Sequence, residues 1–98
     1  MVFQIFAREG CNICVKAQQV LSRLGVQFEV RYVDGPNASV ENLVDFAFYD
    51  WVDTPPLVVV TDGDKVLARW DGNEIADASK SWHLNVERWL KEQGALKV

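Results

Sequence analysis

The amino-acid sequence predicts an α/β fold, with one four-stranded mixed sheet built in the order βαβαββα. Three observations lead to this prediction. A strand-like run, a helical run and a second strand-like run follow one another within residues 1–32. A continuous apolar run then reaches an Asp-Gly turn and returns as a further strand. The last element is an amphipathic helix, so the chain holds four strands and three helices.

The first βαβ unit begins at residues 2–6, which are rich in β-branched and aromatic side chains, and a loop ending at Gly10 follows. Apolar residues then recur at helical spacing as far as Gly25, at Cys14, Ala17, Val20, Leu21 and Leu24. Residues 26–32 alternate between apolar and polar side chains, which is typical of a half-buried strand. Because the crossover connection joins parallel strands, we expect these two strands to be parallel.

The second half of the chain begins with a helix that Ser39 can cap and that Thr54-Pro55-Pro56 ends. Its apolar face is expected to comprise Val40, Leu43, Val44, Ala47 and Trp51. Residues 57–60 predict a buried strand, Asp62-Gly63 a hairpin turn and residues 65–70 the antiparallel partner. After a loop, the last helix is expected to begin near Ser79 and to bury one side made of Trp82, Val86, Trp89 and Leu90.

The composition excludes several classes of function. A length of 98 residues with 49% hydrophobic side chains suits a single domain over residues 1–98. The formal net charge of −4, without a dense Lys/Arg cluster, argues against nucleic acid as a partner. No apolar stretch approaches the roughly 20 residues that cross a bilayer, and the first residues lack a basic n-region. We therefore expect a monomeric cytoplasmic protein that binds no membrane.

The two cysteines, Cys11 and Cys14, form a C-x-x-C motif directly after the first strand and at the start of a helix. A helix N-terminus favours a thiolate, and a cysteine one turn further in lies on the same face. We expect Cys11 to attack a disulfide and Cys14 to resolve the product. The alternatives are a structural disulfide, two unrelated buried thiols or a metal site. Mononuclear zinc would need about four ligands, and His83 is the sole histidine, whereas a dimer-bridged iron–sulfur cluster stays open.

Two separated motifs carry a resemblance to a known family. The segment of residues 5–17, which contains Arg8 and the C-x-x-C, together with Thr54-Pro55-Pro56, resembles a dithiol glutaredoxin of the thioredoxin-fold superfamily. The resemblance covers the chain from the first strand through the hairpin. It implies a thioredoxin-like fold and places substrate-binding positions at Arg8, Thr54, Pro55 and Pro56, with Pro56 as a cis-proline packed against the sulfurs.

The sequence departs from that family at several positions of the predicted site. Asn12-Ile13 replaces the usual Pro-Tyr or Pro-Phe between the cysteines, and Pro55 has no N–H for the backbone clamp on substrate. Asp50 and Asp53 lie beside Thr54, and Asp71-Gly72 occurs where the family carries a double glycine. These acidic groups disfavour the two carboxylates of glutathione.

The rim of the site is expected to comprise Asn12, Ile13, Trp51, Trp70, Asp71 and Gly72. If Trp51 and Trp70 flank the cysteines, they suit a protein or apolar thiol substrate better than a small anion. His83 is expected at the surface, and the remaining aspartates, which lack calcium-loop spacing, are expected to form turns.

The sequence thus predicts a thiol–disulfide oxidoreductase that reduces protein or glutathione mixed disulfides. It would need an external reductant and no tightly bound cofactor, with glutathione as a candidate co-substrate. The alternative is a non-enzymatic module that binds a metal or iron–sulfur centre, or a protein partner through its aromatic second helix.

Overall fold

The computed structural model of the chain describes residues 1–49, 56–77, 79 and 81–94. Its strands are β1 (Val2–Ala7), β2 (Phe28–Tyr32), β3 (Leu57–Asp62) and β4 (Lys65–Asp71). Its helices are α1 (Asn12–Arg23), α2 (Val40–Tyr49), α3 (Gly72–Ala76) and α4 (Trp82–Glu92). None of these helices has the length and apolar character that a membrane span requires.

The four strands form one mixed sheet in the order β2-β1-β3-β4. β1 pairs parallel with β2 and antiparallel with β3, and β3 pairs antiparallel with β4. The pairs Ala7↔Tyr32, Phe6↔Leu57 and Leu57↔Asp71 place the ends of β1, β2 and β4 and the start of β3 together. We call this border of the sheet the Ala7 edge. The α/β class and the mixed four-stranded sheet are confirmed.

One face of the sheet is covered by α1 and α4. Alternation along β1 and β3 directs Phe3, Ile5, Val58 and Val60 to this side. The helices bury the side chains that the 3.6-residue spacing indicated, namely Cys14, Ala17, Leu21, Trp82, Val86 and Leu90. This larger core supports the helix that carries both cysteines.

The opposite face of the sheet is covered by α2, and here the predicted apolar face is wrong. Val40, Leu43, Val44 and Ala47 are exposed, and Trp51 lies outside the described residues. Phe46 is buried instead, against Phe6, Leu57 and Val59 of the sheet. The physical reason is the charge of Arg31, whose side chain lies under α2 and requires polar partners from the helix.

The segment after β4 is the second correction. The expected loop contains the short helix α3, because the Asp71 carboxylate accepts a hydrogen bond from the N–H of Glu74 at 2.9 Å and caps the helix. The last helix begins at Trp82 rather than near Ser79. The order of elements is therefore βαβαββαα.

Candidate redox site

Cys11 is the N-cap of α1. Its backbone is extended, and its Sγ accepts a hydrogen bond from the N–H of Cys14 at 3.1 Å. The preceding Gly10 has a φ of 69°, a left-handed conformation that glycine adopts without strain and that turns the chain from β1 into the helix. Local backbone geometry therefore places the sulfur of Cys11 where unpaired helix N–H groups converge.

Cys11 and Cys14 form a disulfide, with their Cα atoms 5.2 Å apart. Cys14 is 2% exposed and Cys11 is 8% exposed, so both belong to the core on the α1 side of the sheet. Asn12 is exposed and Ile13 packs against this core as a half-buried residue. Cys11 is therefore the more exposed residue of the pair.

Pro56 and Gly72 meet at the Ala7 edge. A Cβ atom placed on Gly72 would lie 3.1 Å from Cδ of Pro56, and Pro56 is fully buried. Continuation of the β3–β4 register explains the contact, because Leu57 pairs with Asp71. The start of β3 and the end of β4 thus meet at the edge where β1 leads into the Cys11 loop. Trp51, Thr54 and Pro55 lie outside the described residues, and so does the bond that precedes Pro56.

Trp70 does not form an exposed rim. Its side chain is 9% exposed and makes edge-to-face contacts with Trp82 and Trp89, with ring centroids 6.1 and 5.9 Å away. The residue belongs to the same core as the cysteines, because its side chain points from β4 towards α4. Its neighbour Asp71 is half-buried and caps α3, so its carboxylate lies at the Ala7 edge.

The loop between β1 and Cys11 carries Arg8, which is the one Lys or Arg among residues 1–11. Its side chain is exposed. The adjacent Glu9 fixes the loop, since its N–H donates to Oδ1 of Asp34 at 3.0 Å and its carboxylate accepts from Asn37 at 3.0 Å. The guanidinium of Arg8 is thus presented to solvent from a loop whose next residue is anchored to the segment after β2.

Comparison with known proteins now decides the family. Residues 3–66 match the family model described as glutaredoxin, which is more than half of the chain. The chain belongs to the glutaredoxin family. The matched range contains both cysteines, Arg8 and Pro56. A comparison with curated protein sequences found no match.

A solved structure supports the fold. Thioredoxin 1 from the thermophilic eubacterium Thermosipho africanus TCF52B superposes with a TM-score of 0.62 at 22% sequence identity, over 96% of this chain and 99% of that one. The thioredoxin fold is therefore confirmed over almost the whole chain. Membership of the glutaredoxin family together with a Cys11–Cys14 disulfide supports a redox function for this site.

Two observations complete the description of the site. Within the part of the chain that the structure describes, no three His, Cys, Asp or Glu side chains come together as ligands for a metal ion. His83 is exposed on α4, as predicted.

Lys16 is a contact residue that the sequence reasoning missed. From α1, its Nζ donates to the carbonyl oxygen of Ile75 at 3.1 Å and joins the cysteine-bearing helix to α3. No sequence signal could have shown this pair, because its acceptor belongs to a backbone segment that was expected to be a loop.

Proposed function

We propose that this chain is a thiol–disulfide oxidoreductase in which Cys11 attacks a substrate disulfide and Cys14 resolves the product. The observation that carries the proposal is the position of Cys11 at the start of α1, where its sulfur accepts the N–H of Cys14 and where the residue is the more exposed of the pair. In the reduced protein the same N–H and the helix dipole favour the Cys11 thiolate.

The reaction transfers two electrons from the dithiol to the substrate. The Cys11 thiolate attacks one sulfur of the substrate disulfide, the S–S bond breaks, and the leaving thiolate takes up a proton. A mixed disulfide now joins Cys11 to the substrate. The Cys14 thiol loses its proton and attacks the Cys11 sulfur, so the second substrate thiolate leaves and the Cys11–Cys14 disulfide forms. An external thiol reductant then returns two electrons to the pair.

We propose protein disulfides as the favoured substrates and a cytoplasmic setting, in which the reducing environment keeps the dithiol available for turnover. The protein would act as a monomer without a tightly bound cofactor.

Two features disfavour glutathione. The Asp71 carboxylate lies at the Ala7 edge and already accepts the N–H of Glu74. Asn12, beside Cys11, brings no positive charge to meet a carboxylate. The exposed Arg8 would favour glutathione, so glutathione is kept as a candidate co-substrate.

The test combines trapping with turnover. Cys14→Ser should accumulate a mixed disulfide with an insulin-derived or glutathionylated model protein, because the resolving thiol is absent. Cys11→Ser is the matched control and should trap nothing. Turnover of the wild-type protein is measured once with glutathione and glutathione reductase and once with thioredoxin reductase. Activity restricted to the second arm would show that glutathione is not the reductant, as the acidic Asp71 and the uncharged Asn12 lead us to expect.

Absence of turnover in both arms, together with no trapped adduct on Cys14→Ser, would overturn the enzymatic proposal. Faster turnover with glutathione than with thioredoxin reductase would overturn the argument against glutathione and leave the exchange mechanism intact. Trapping on Cys11→Ser but not on Cys14→Ser would reverse the roles of the two sulfurs.

A further inference from the structure

The helix α2 has an inverted distribution of polar and apolar side chains. Asn42 and Asp45 turn towards the sheet, where they bond Nε and Nη2 of Arg31 at 2.9 and 2.7 Å. The outward side is apolar and comprises Val40 (78% exposed), Leu43 (47%), Val44 (60%), Ala47 and Phe48 (79%). We call these five residues the α2 outer face. So many large apolar side chains in one exposed patch are unusual for a short helix of a monomeric domain.

The orientation of α2 is determined by specific contacts rather than by loose packing. Nδ2 of Asn42 donates to the carbonyl of Tyr32 on β2 at 2.9 Å. Phe46 packs on Phe6 of β1 with ring centroids 5.7 Å apart. At the end of the helix, Arg69 of β4 donates to the carbonyl of Tyr49. The helix thus crosses the sheet from β2 to β4, and rotating its apolar side inward would take from Arg31 its two partners on α2, Asn42 and Asp45.

The spacing of the α2 outer face fits another helix. Its residues recur at i, i+3, i+4, i+7 and i+8 from Val40, which is the seam pattern of two packed helices. Eight residues of rise give the seam a length of ~12 Å. A partner helix with two turns of apolar side chains would cover it.

The charge around the seam selects the kind of helix. The charged residues of α2 are both acidic, namely Glu41 and Asp45, and the helix contains no Lys or Arg. On α2 itself Glu41 is exposed, and the side chain of Asp45 is 40% exposed beside its ion pair. A second copy of this chain would place these carboxylates against one another, and an anionic membrane would repel them.

We propose that the α2 outer face binds an amphipathic helix of another protein, whose apolar seam is flanked by Lys or Arg. This interaction is separate from the exchange chemistry, because none of the five residues belongs to the redox site. The apolar seam supplies the contact area, and the carboxylates of Glu41 and Asp45 select basic flanks.

The experiment uses oxidised full-length protein and two synthetic helical peptides with the same leucine seam. One peptide carries Lys at the flanking positions and the other carries Glu. Fluorescence anisotropy is expected to show saturable binding of the Lys peptide and at least tenfold weaker binding of the Glu peptide. Val44→Ser/Phe48→Ser is expected to weaken the Lys peptide at least tenfold. Leu84→Ser, which changes a 50%-exposed residue on α4, is the matched control and should leave binding unchanged.

A separate variant tests whether the acidic residues of α2 select basic peptide flanks. Glu41→Lys should weaken the Lys peptide and strengthen the Glu peptide, and circular dichroism verifies that each variant keeps its fold. If the Lys peptide bound Val44→Ser/Phe48→Ser and the wild type with equal affinity, binding would depend on charge alone and the proposal would be overturned. An absence of saturable binding to the wild type would also overturn it. A wild-type dimer in light scattering that Phe48→Ser abolishes would make a second copy the occupant and would also overturn it.

Discussion

Replacement of Arg31 with methionine tests the contacts that orient α2. The side chain is 11% exposed, and its guanidinium makes three polar contacts: 2.9 Å to Asn42, 2.8 Å to Gln4 and 2.7 Å to Asp45. It also lies 5.1 Å from the ring centroid of Phe6. Methionine keeps much of the apolar packing on Phe6 and removes all the polar contacts. The substitution therefore separates the polar anchoring of α2 from its hydrophobic packing.

The expected loss follows from the burial of each group. A hydrogen bond to a charged group contributes about 1.5 kcal/mol at the low end of its range, which applies to Gln4 and Asn42. The ion pair adds roughly 1 kcal/mol at most, because the Asp45 side chain is 40% exposed and water screens it. Methionine avoids the desolvation cost of the guanidinium and offsets part of the loss. We expect the free energy of unfolding of Arg31→Met to fall by about 2–3 kcal/mol.

Urea denaturation of the oxidised protein measures this change as a shift of the midpoint at constant slope. The melting temperature should fall by roughly 10 °C or more, given the entropy of unfolding of a domain of this size. Arg88→Met is the matched control, since Arg88 is exposed on α4 and donates to Oδ1 of Asn85 at the surface. Its effect should stay within about 0.5 kcal/mol. An equal small loss in both variants would refute the claim that Arg31 anchors α2.

Three further predictions concern the redox site. A titration of the reduced protein by thiolate absorbance should give Cys11 a pKa below the free value of about 8.5, because the helix N-terminus and the Cys14 N–H stabilise the anion; a value at or above 8.5 would contradict the helix-terminus argument. Gly72→Ala should lower the free energy of unfolding by about 1 kcal/mol in urea, since its Cβ would press on buried Pro56 at 3.1 Å; an increase in stability would show that Pro56 moves freely. Lys16→Met should lower the free energy of unfolding by about 1 kcal/mol in the same assay, because the hydrogen bond to the Ile75 carbonyl is lost. Lys65→Met, at the exposed start of β4, is the control and should leave the free energy of unfolding unchanged. Equal effects of the two substitutions would contradict a role for the α1–α3 contact.

Local patterns along the chain predicted most of the architecture. The alternation of residues 26–32, the helical spacing from Cys14 to Leu24 and the Asp62-Gly63 turn each depend on nearest neighbours, and each element is present in the structure. The same is true of Cys11, whose place between a strand and a helix predicted the N-cap position that it occupies. Such features can be predicted from the sequence, because the backbone hydrogen bonds of turns and helices join residues that are close along the chain.

Local patterns therefore predicted the order of the strands and longer helices along the chain, the parallel β1–β2 pair, the antiparallel β3–β4 pair and the position of the dithiol at the start of α1. The buried side of α2 depends instead on contacts between elements. The stripe from Val40 to Ala47 predicts a core face, yet Arg31 on the preceding strand β2, with a side chain only 11% exposed, bonds Asn42 and Asp45 and turns them inward. Trp70 is buried for a related reason, since Trp82 and Trp89 pack around it from another element. Whether a side chain is buried depends on the element that packs against it, and the periodicity of one segment does not show which element that is.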